Sequence, residues 1–233
     1  MSHSSAVRVS KDDLLKATAM LEPADRAEMA VPSYAHSNPL IRWLFWSRLD
    51  TAMNFAGLTP DMSVLDFGTG SGVLLPSLAA VASQVFATDI ELAPSRSAAA
   101  ARGLRVDFVP LTEMGAWSTA KPGTIDRIFA LDVLEHVETA ELIELSAVFR
   151  SLLRPGGCLI VSGPTETAMY KLGRAIAGFR NDYHHRTIFD IDRVLSADWG
   201  VSRQTFLPRF PLPRAFVLTR YEAKTPSEIH PAG

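Results

Sequence analysis

One cysteine in 233 residues, Cys158, excludes an internal disulfide framework, and its place in the apolar run Cys158 to Val161 marks a buried strand residue rather than a catalytic thiol. No apolar run reaches the roughly 20 residues that a membrane-spanning helix needs. The opening Met-Ser-His-Ser-Ser shows no basic segment followed by an apolar stretch, so no secretory leader is expected and the cytoplasm is the expected compartment. An excess of one charge is missing too. Lys and Arg number 23 against 25 Asp and Glu, a formal net charge of −2, so there is no global electrostatic reason to bind nucleic acid and no such partner is expected. Asp132, Glu135 and His136 are oxygen and nitrogen donors close in sequence, but no second oxygen-ligand cluster accompanies them and no metal is expected.

What remains is ordinary for a compact α/β protein, 47% hydrophobic and 21% charged. The most telling stretch is Val64-Leu-Asp-Phe-Gly-Thr-Gly-Ser-Gly72, a carboxylate set directly before a glycine-paved turn that opens a helix. Val64 and Leu65 read as the end of a strand buried on both faces. Gly68, Gly70 and Gly72 lack a Cβ and let the backbone turn tightly and approach a ligand across the strand's carboxyl end. The competing dinucleotide fingerprint is G-x-G-x-x-G, with a pyrophosphate on backbone amides at a helix N-terminus. Here the spacing is G-x-G-x-G, and Asp66 stands where the pyrophosphate would come. Two like charges about 4 Å apart repel by roughly 4 kcal/mol at an effective dielectric of about 20. A ligand bearing an ammonium and a sulfonium would be attracted instead.

With these residues the chain resembles the class I S-adenosylmethionine-dependent methyltransferases, whose first motif, D/E-x-G-x-G-x-G, is matched in full by Asp66, Gly68, Gly70 and Gly72. A second match is Gln84 to Glu91, an apolar strand ending in Asp89, 21 residues after Gly68. An acid there can accept hydrogen bonds from both ribose hydroxyls, or it can cap the next helix, and Glu91 could share either job. Asp126 to Val137 resembles the family's fourth strand and following loop as found in the ubiquinone- and menaquinone-methyltransferase-like branch. Leu153 to Pro164 resembles its Pro-Gly-Gly turn and fifth strand, where Pro155 ends a helix and the glycines supply positive φ. The resemblance covers roughly residues 58–222. It implies a Rossmann-like, seven-stranded, mostly parallel sheet in the order 3-2-1-4-5-7-6, with S-adenosylmethionine as cofactor and S-adenosylhomocysteine as product. Cofactor contacts implied are Asp66, Gly68, Thr69, Gly70, Gly72, Asp89, Ile90, Leu111, Thr112 and Asp132. Pro110-Leu111-Thr112 lacks the acid often seen after the third strand, and Leu111 to Glu113 read as adenine contacts or as a plain connection.

The expected organisation is an N-terminal helical cap over residues 1–57, the methyltransferase domain over 58–224 and a flexible tail over 225–233. Helices are expected over Val73–Ser83, Leu92–Arg102, Thr139–Leu153, Thr165–Phe179 and Asp190–Trp199. The stretch Leu111–Thr124 reads as irregular, and late strands are expected over Arg203–Leu207 and Ala215–Glu222. In the cap, Asn38-Pro39 starts a helix that Gly57 stops. Ile41, Phe45, Leu49, Ala52, Met53 and Ala56 share one face, while Leu40, Trp43 and Leu44 leave the first half apolar nearly all round. That surface, with Trp46, reads as a second layer of core, a lid over a substrate pocket, or a peripheral membrane contact through residues 39–49.

Methyl transfer from a sulfonium is an in-line displacement in which positioning carries most of the rate. A hydroxyl acceptor also needs a base, for which histidine is suited. His136, His184 and His185 are the candidates. His136 fits either the acceptor side or a helix start satisfied by Asp132 or Glu135; the pair His184-His185 fits an acceptor-covering loop or a solvated one. The expected activity is methyl transfer to a small, apolar or amphipathic molecule. The alternatives are methylation of tRNA or protein, and a non-catalytic cofactor-binding module.

Overall fold

A computed structural model describes residues 5–29, 31–165, 187–208 and 214–225. The chain divides into two compact units, residues 1–114 and 115–233. Seven strands form a mixed sheet in the order β3-β2-β1-β4-β5-β7-β6, the order that the resemblance implies.

The first unit opens with four helices, α1 (Lys11–Ala17), α2 (Pro23–Glu28), α3 (Val31–Tyr34) and α4 (Pro39–Ala56). α4 starts where the Asn38 side chain accepts from Leu40 N and ends where Gly57 turns left-handed, as its caps predict. Leu49, Ala52, Met53 and Ala56 of the predicted stripe are buried, whereas Ile41 and Phe45 are half-buried. Of the readings the sequence leaves open for this helix, Trp46 takes that of a second layer of core. It is buried, edge-on to Tyr34 at 5.3 Å with the Arg8 guanidinium 4.8 Å from its ring. Leu40 and Trp43 stay exposed.

Next come β1 (Ser63–Phe67), α5 (Leu75–Ala79), β2 (Gln84–Thr88), α6 (Ala93–Ala101) and β3 (Asp107–Phe108). β1 and β2 run parallel with Val64 opposite Val85, and β2 pairs in parallel with β3. Every residue of β1 is buried, the polar Ser63 and Asp66 included. α5 is shorter than the expected Val73–Ser83 because Ser83 and Gln84 turn their N–H groups to Met62 O and draw the chain into β2. Residues Leu111–Glu113, expected to be irregular, form a 3-10 turn, and Met114–Ala120 form helix α7. Pro122 and Gly123 lie beyond the end of α7.

The second unit carries β4 (Ile125–Leu131), a 3-10 turn (Leu134–His136), α8 (Thr139–Leu152), β5 (Leu153–Pro164), α9 (Ile188–Leu195), β6 (Trp199–Leu207) and β7 (Phe216–Ala223). β4 and β5 are parallel; β5–β7 and β6–β7 are antiparallel, forming the expected late hairpin. Leu142, Leu145, Phe149 and Leu152 of α8 are buried and Val148 half-buried, and Cys158 is fully buried in β5. Of the two turn glycines only Gly156 has positive φ. Gly157 is needed for space, since a Cβ there would lie 2.9 Å from Arg154 O. α9 starts two residues before the expected Asp190 because Thr187 and Asp190 form a reciprocal capping box, and it ends at Leu195, freeing Trp199 to begin β6. The expected helix Thr165–Phe179 falls almost wholly outside the described residues. Among the described residues no helix is long and apolar enough to cross a membrane.

Candidate active site

In the first unit β1 delivers Asp66 into the interior and then breaks into the glycine loop. Gly68, Gly70 and Gly72 have φ of 74°, 52° and 73°, conformations that side-chain-bearing residues rarely adopt. Gly72 also has a packing role. A Cβ on it would meet Ser95 Cα at 3.1 Å and Ala98 Cβ at 3.3 Å, so its bareness lets α6 press against the loop.

Four amides of the loop are already committed inside the protein. Gly68 N and Thr69 N both donate to Thr88 O, at 2.9 and 3.1 Å, and Gly70 N donates to Asp89 Oδ2 at 2.7 Å. Gly72 N donates to Thr69 O at 2.8 Å. A phosphate cradle needs such donors free, and this loop spends three of them on Thr88 and Asp89 at the end of β2 and the fourth on its own Thr69. What it offers is acceptors.

Asp66 is 4% exposed, and its Oδ2 is buried with no hydrogen-bond partner among the described residues. Burial lifts its carboxyl from 3.8 to about 7, the Thr69 side chain opposes the rise, and the charge of Asp89 adds to it. Asp89 is half-buried, with Glu91 N reaching its other oxygen at 3.3 Å. The helix-capping job goes to Glu91, whose carboxylate accepts from Ala93 N at 2.8 Å at the start of α6. Asp89 therefore faces the glycine loop rather than capping α6. Ile90 is 86% exposed, Leu111 half-buried and Thr112 exposed on the 3-10 turn after β3.

In the second unit Asp132 directly follows β4 and His136 ends the next 3-10 turn, with an exposed side chain. The neighbouring Glu135 is buried. Asp132 is gripped by Ser162 of β5. Its N–H donates to Ser162 O at 3.0 Å, and its Oδ1 accepts from Ser162 Oγ at 2.8 Å. His184 and His185 lie outside the described residues. The sequence reading missed Thr88 and Ser162, which act through backbone partners 20 and 30 residues away with no local signal. Among the described residues no three His, Cys, Asp or Glu side chains are grouped to hold a metal.

A methyltransferase-domain family matches residues 40–196. The chain belongs to that family. Together with the strand order and the glycine loop, this makes it a class I S-adenosylmethionine-dependent methyltransferase. It is similar to the ubiquinone biosynthesis O-methyltransferase of Bordetella bronchiseptica, 32% identical over 121 residues that cover 49% of this chain and 48% of that one. It is also similar to the ribosomal protein L11 methyltransferase of Rhizobium leguminosarum bv. trifolii, 35% identical over 136 residues covering 56% and 44%. The methyltransferase thus spans about half the length of the curated relatives it matches. Its fold resembles that of the N-methyltransferase NodS from Bradyrhizobium japonicum WM9 in complex with S-adenosylhomocysteine. The TM-score is 0.64 at 16% identity, covering 87% of this chain and 97% of that one.

Proposed function

We propose that this methyltransferase transfers the methyl of S-adenosylmethionine to an oxygen of a small, apolar or amphipathic acceptor. The observation that carries the cofactor side is the loop itself, with amides consumed and two acids, Asp66 and Asp89, flanking its bend. An oxygen acceptor is supported by the similarity to a ubiquinone biosynthesis O-methyltransferase.

The residues fit the cofactor's chemistry. The partnerless Oδ2 of Asp66 would hold the α-ammonium, and that ammonium would in turn favour the ionised carboxyl. Asp89 has acceptor capacity beyond the Gly70 and Glu91 amides, and would take the ribose hydroxyls. Thr69, Gly68, Gly70 and Gly72 shape the bend, Ile90, Leu111 and Thr112 would flank the adenosine, and Asp132 would contact the cofactor from the end of β4. When bound, the cofactor supplies an electrophilic methyl whose departure leaves an uncharged thioether. The protein's part is to align the acceptor oxygen opposite sulfur and take its proton, the role proposed for His136, or for His184 or His185.

Titration calorimetry with S-adenosylhomocysteine, then labelled-methyl transfer to catechols carrying alkyl chains of increasing length, tests this reading. Micromolar product binding with label in the catechol is expected. Binding of NAD in preference to the thioether would overturn the cofactor assignment.

A second reading is protein methylation, favoured by the similarity to a ribosomal protein L11 methyltransferase. Label entering a ribosomal protein fraction and no catechol would support it. Product binding without turnover on either class would favour a non-catalytic binding module.

A further inference from the structure

Asp132 is the one non-glycine residue with positive φ, 54°, among the described residues. A left-handed aspartate is tolerated but unfavourable, and it persists where its surroundings over-determine it. Ser162 is part of those surroundings. The serine is fully buried and lies opposite Leu131 in the β4–β5 register, so it sits one step from Asp132 by construction of the sheet. It holds both ends of the aspartate at once, its carbonyl accepting the Asp132 N–H and its hydroxyl donating to the Asp132 carboxylate. Directly beyond this clamp the chain turns into Leu134–His136.

We propose that Ser162 is a positioning residue for the cofactor site. It fixes the rotamer and the left-handed backbone of Asp132, and so sets where the carboxylate and the turn after β4 stand. This rests on the reading of Asp132 as a cofactor contact. The packing at Ser162 is otherwise apolar strand core, where an alanine would serve the sheet equally well; among the described residues the hydroxyl donates to Asp132.

The test is S-adenosylhomocysteine affinity by calorimetry, with thermal melting alongside, for the full-length wild type, Ser162→Ala, Ser162→Thr, Asp132→Gly and the double variant Ser162→Ala with Asp132→Gly. Loss of one hydrogen bond to a carboxylate predicts binding weaker by on the order of tenfold for Ser162→Ala. Threonine, which keeps the hydroxyl, restores most of it. Asp132→Gly adopts positive φ freely, so it weakens binding through loss of the carboxylate and not through backbone strain. In the Asp132→Gly background, Ser162→Ala produces no further loss, because its target is gone. An unchanged affinity in Ser162→Ala, or a loss that persists undiminished in the Asp132→Gly background, overturns the proposal. A wild type that binds no S-adenosylhomocysteine overturns the cofactor reading itself, an outcome distinct from the other two.

Discussion

The Asp89 carboxylate accepts the Gly70 amide at 2.7 Å, tying the end of β2 to the middle of the glycine loop. One side chain thus braces the loop and retains acceptor capacity for a ribose. Asp89→Ala removes both and is expected to weaken S-adenosylhomocysteine binding by at least tenfold. Asp89→Asn keeps one acceptor for the Gly70 amide and falls between. Calorimetry decides, and an Asp89→Ala variant with wild-type affinity refutes the assignment.

Asp66 titrates near 7 in the free protein because it is buried. A cationic ligand favours its ionised form, so affinity rises with pH through about 7, and binding near that pH releases protons. Calorimetry in two buffers of different ionisation enthalpy measures the release, and Asp66→Asn diminishes it. The same shift has a stability consequence of fixed sign. Between about 4 and 7 the folded state holds a proton that the unfolded state has lost, so the carboxyl's contribution to stability falls as pH rises through that window. Asp66→Asn therefore raises the melting temperature more at pH 8 than at pH 5, and an equal change at both contradicts the shift.

Gly72 and Gly103 both have positive φ, yet only Gly72 has neighbours waiting at 3.1–3.3 Å. Gly103→Ala is expected to cost about 1 kcal/mol of backbone strain. Gly72→Ala adds a clash with Ser95 and Ala98 and is expected to cost roughly 2–4 kcal/mol. Urea denaturation of the two variants compares them directly, and equal losses would show that α6 yields to the extra methyl.

The glycine loop was legible because its signal is local: an acid, three glycines at fixed spacing and a second acid at the next strand end. The strand order followed from the resemblance, and the alternation of elements agrees with it. Residues that act across strands were not legible. Thr88 holds the loop through its carbonyl, a group every residue has, and Ser162 finds Asp132 only once β4 and β5 align. For Trp46 the sequence left core and surface both open, because a helix apolar nearly all round has no single face that periodicity can mark as core. The Thr187-Ile-Phe-Asp190 capping box was visible in the sequence, and reading it would have moved the start of α9 correctly.

His136 is exposed at the end of the 3-10 turn Leu134–His136, and among the described residues it is the candidate for the base in the proposed chemistry. A base that removes a hydroxyl proton acts in the transfer step and not in cofactor binding, so its loss should separate the two. His136→Ala is expected to lower kcat on the best catechol acceptor by about 100-fold while leaving S-adenosylhomocysteine affinity within about twofold. The residual rate should climb with pH as the acceptor ionises unaided, which removes the need for the base and brings variant and wild type together at high pH. A constant ratio of rates across that range indicates that His136 shapes the turn without taking the proton. Full activity at every pH passes the role to His184 or His185.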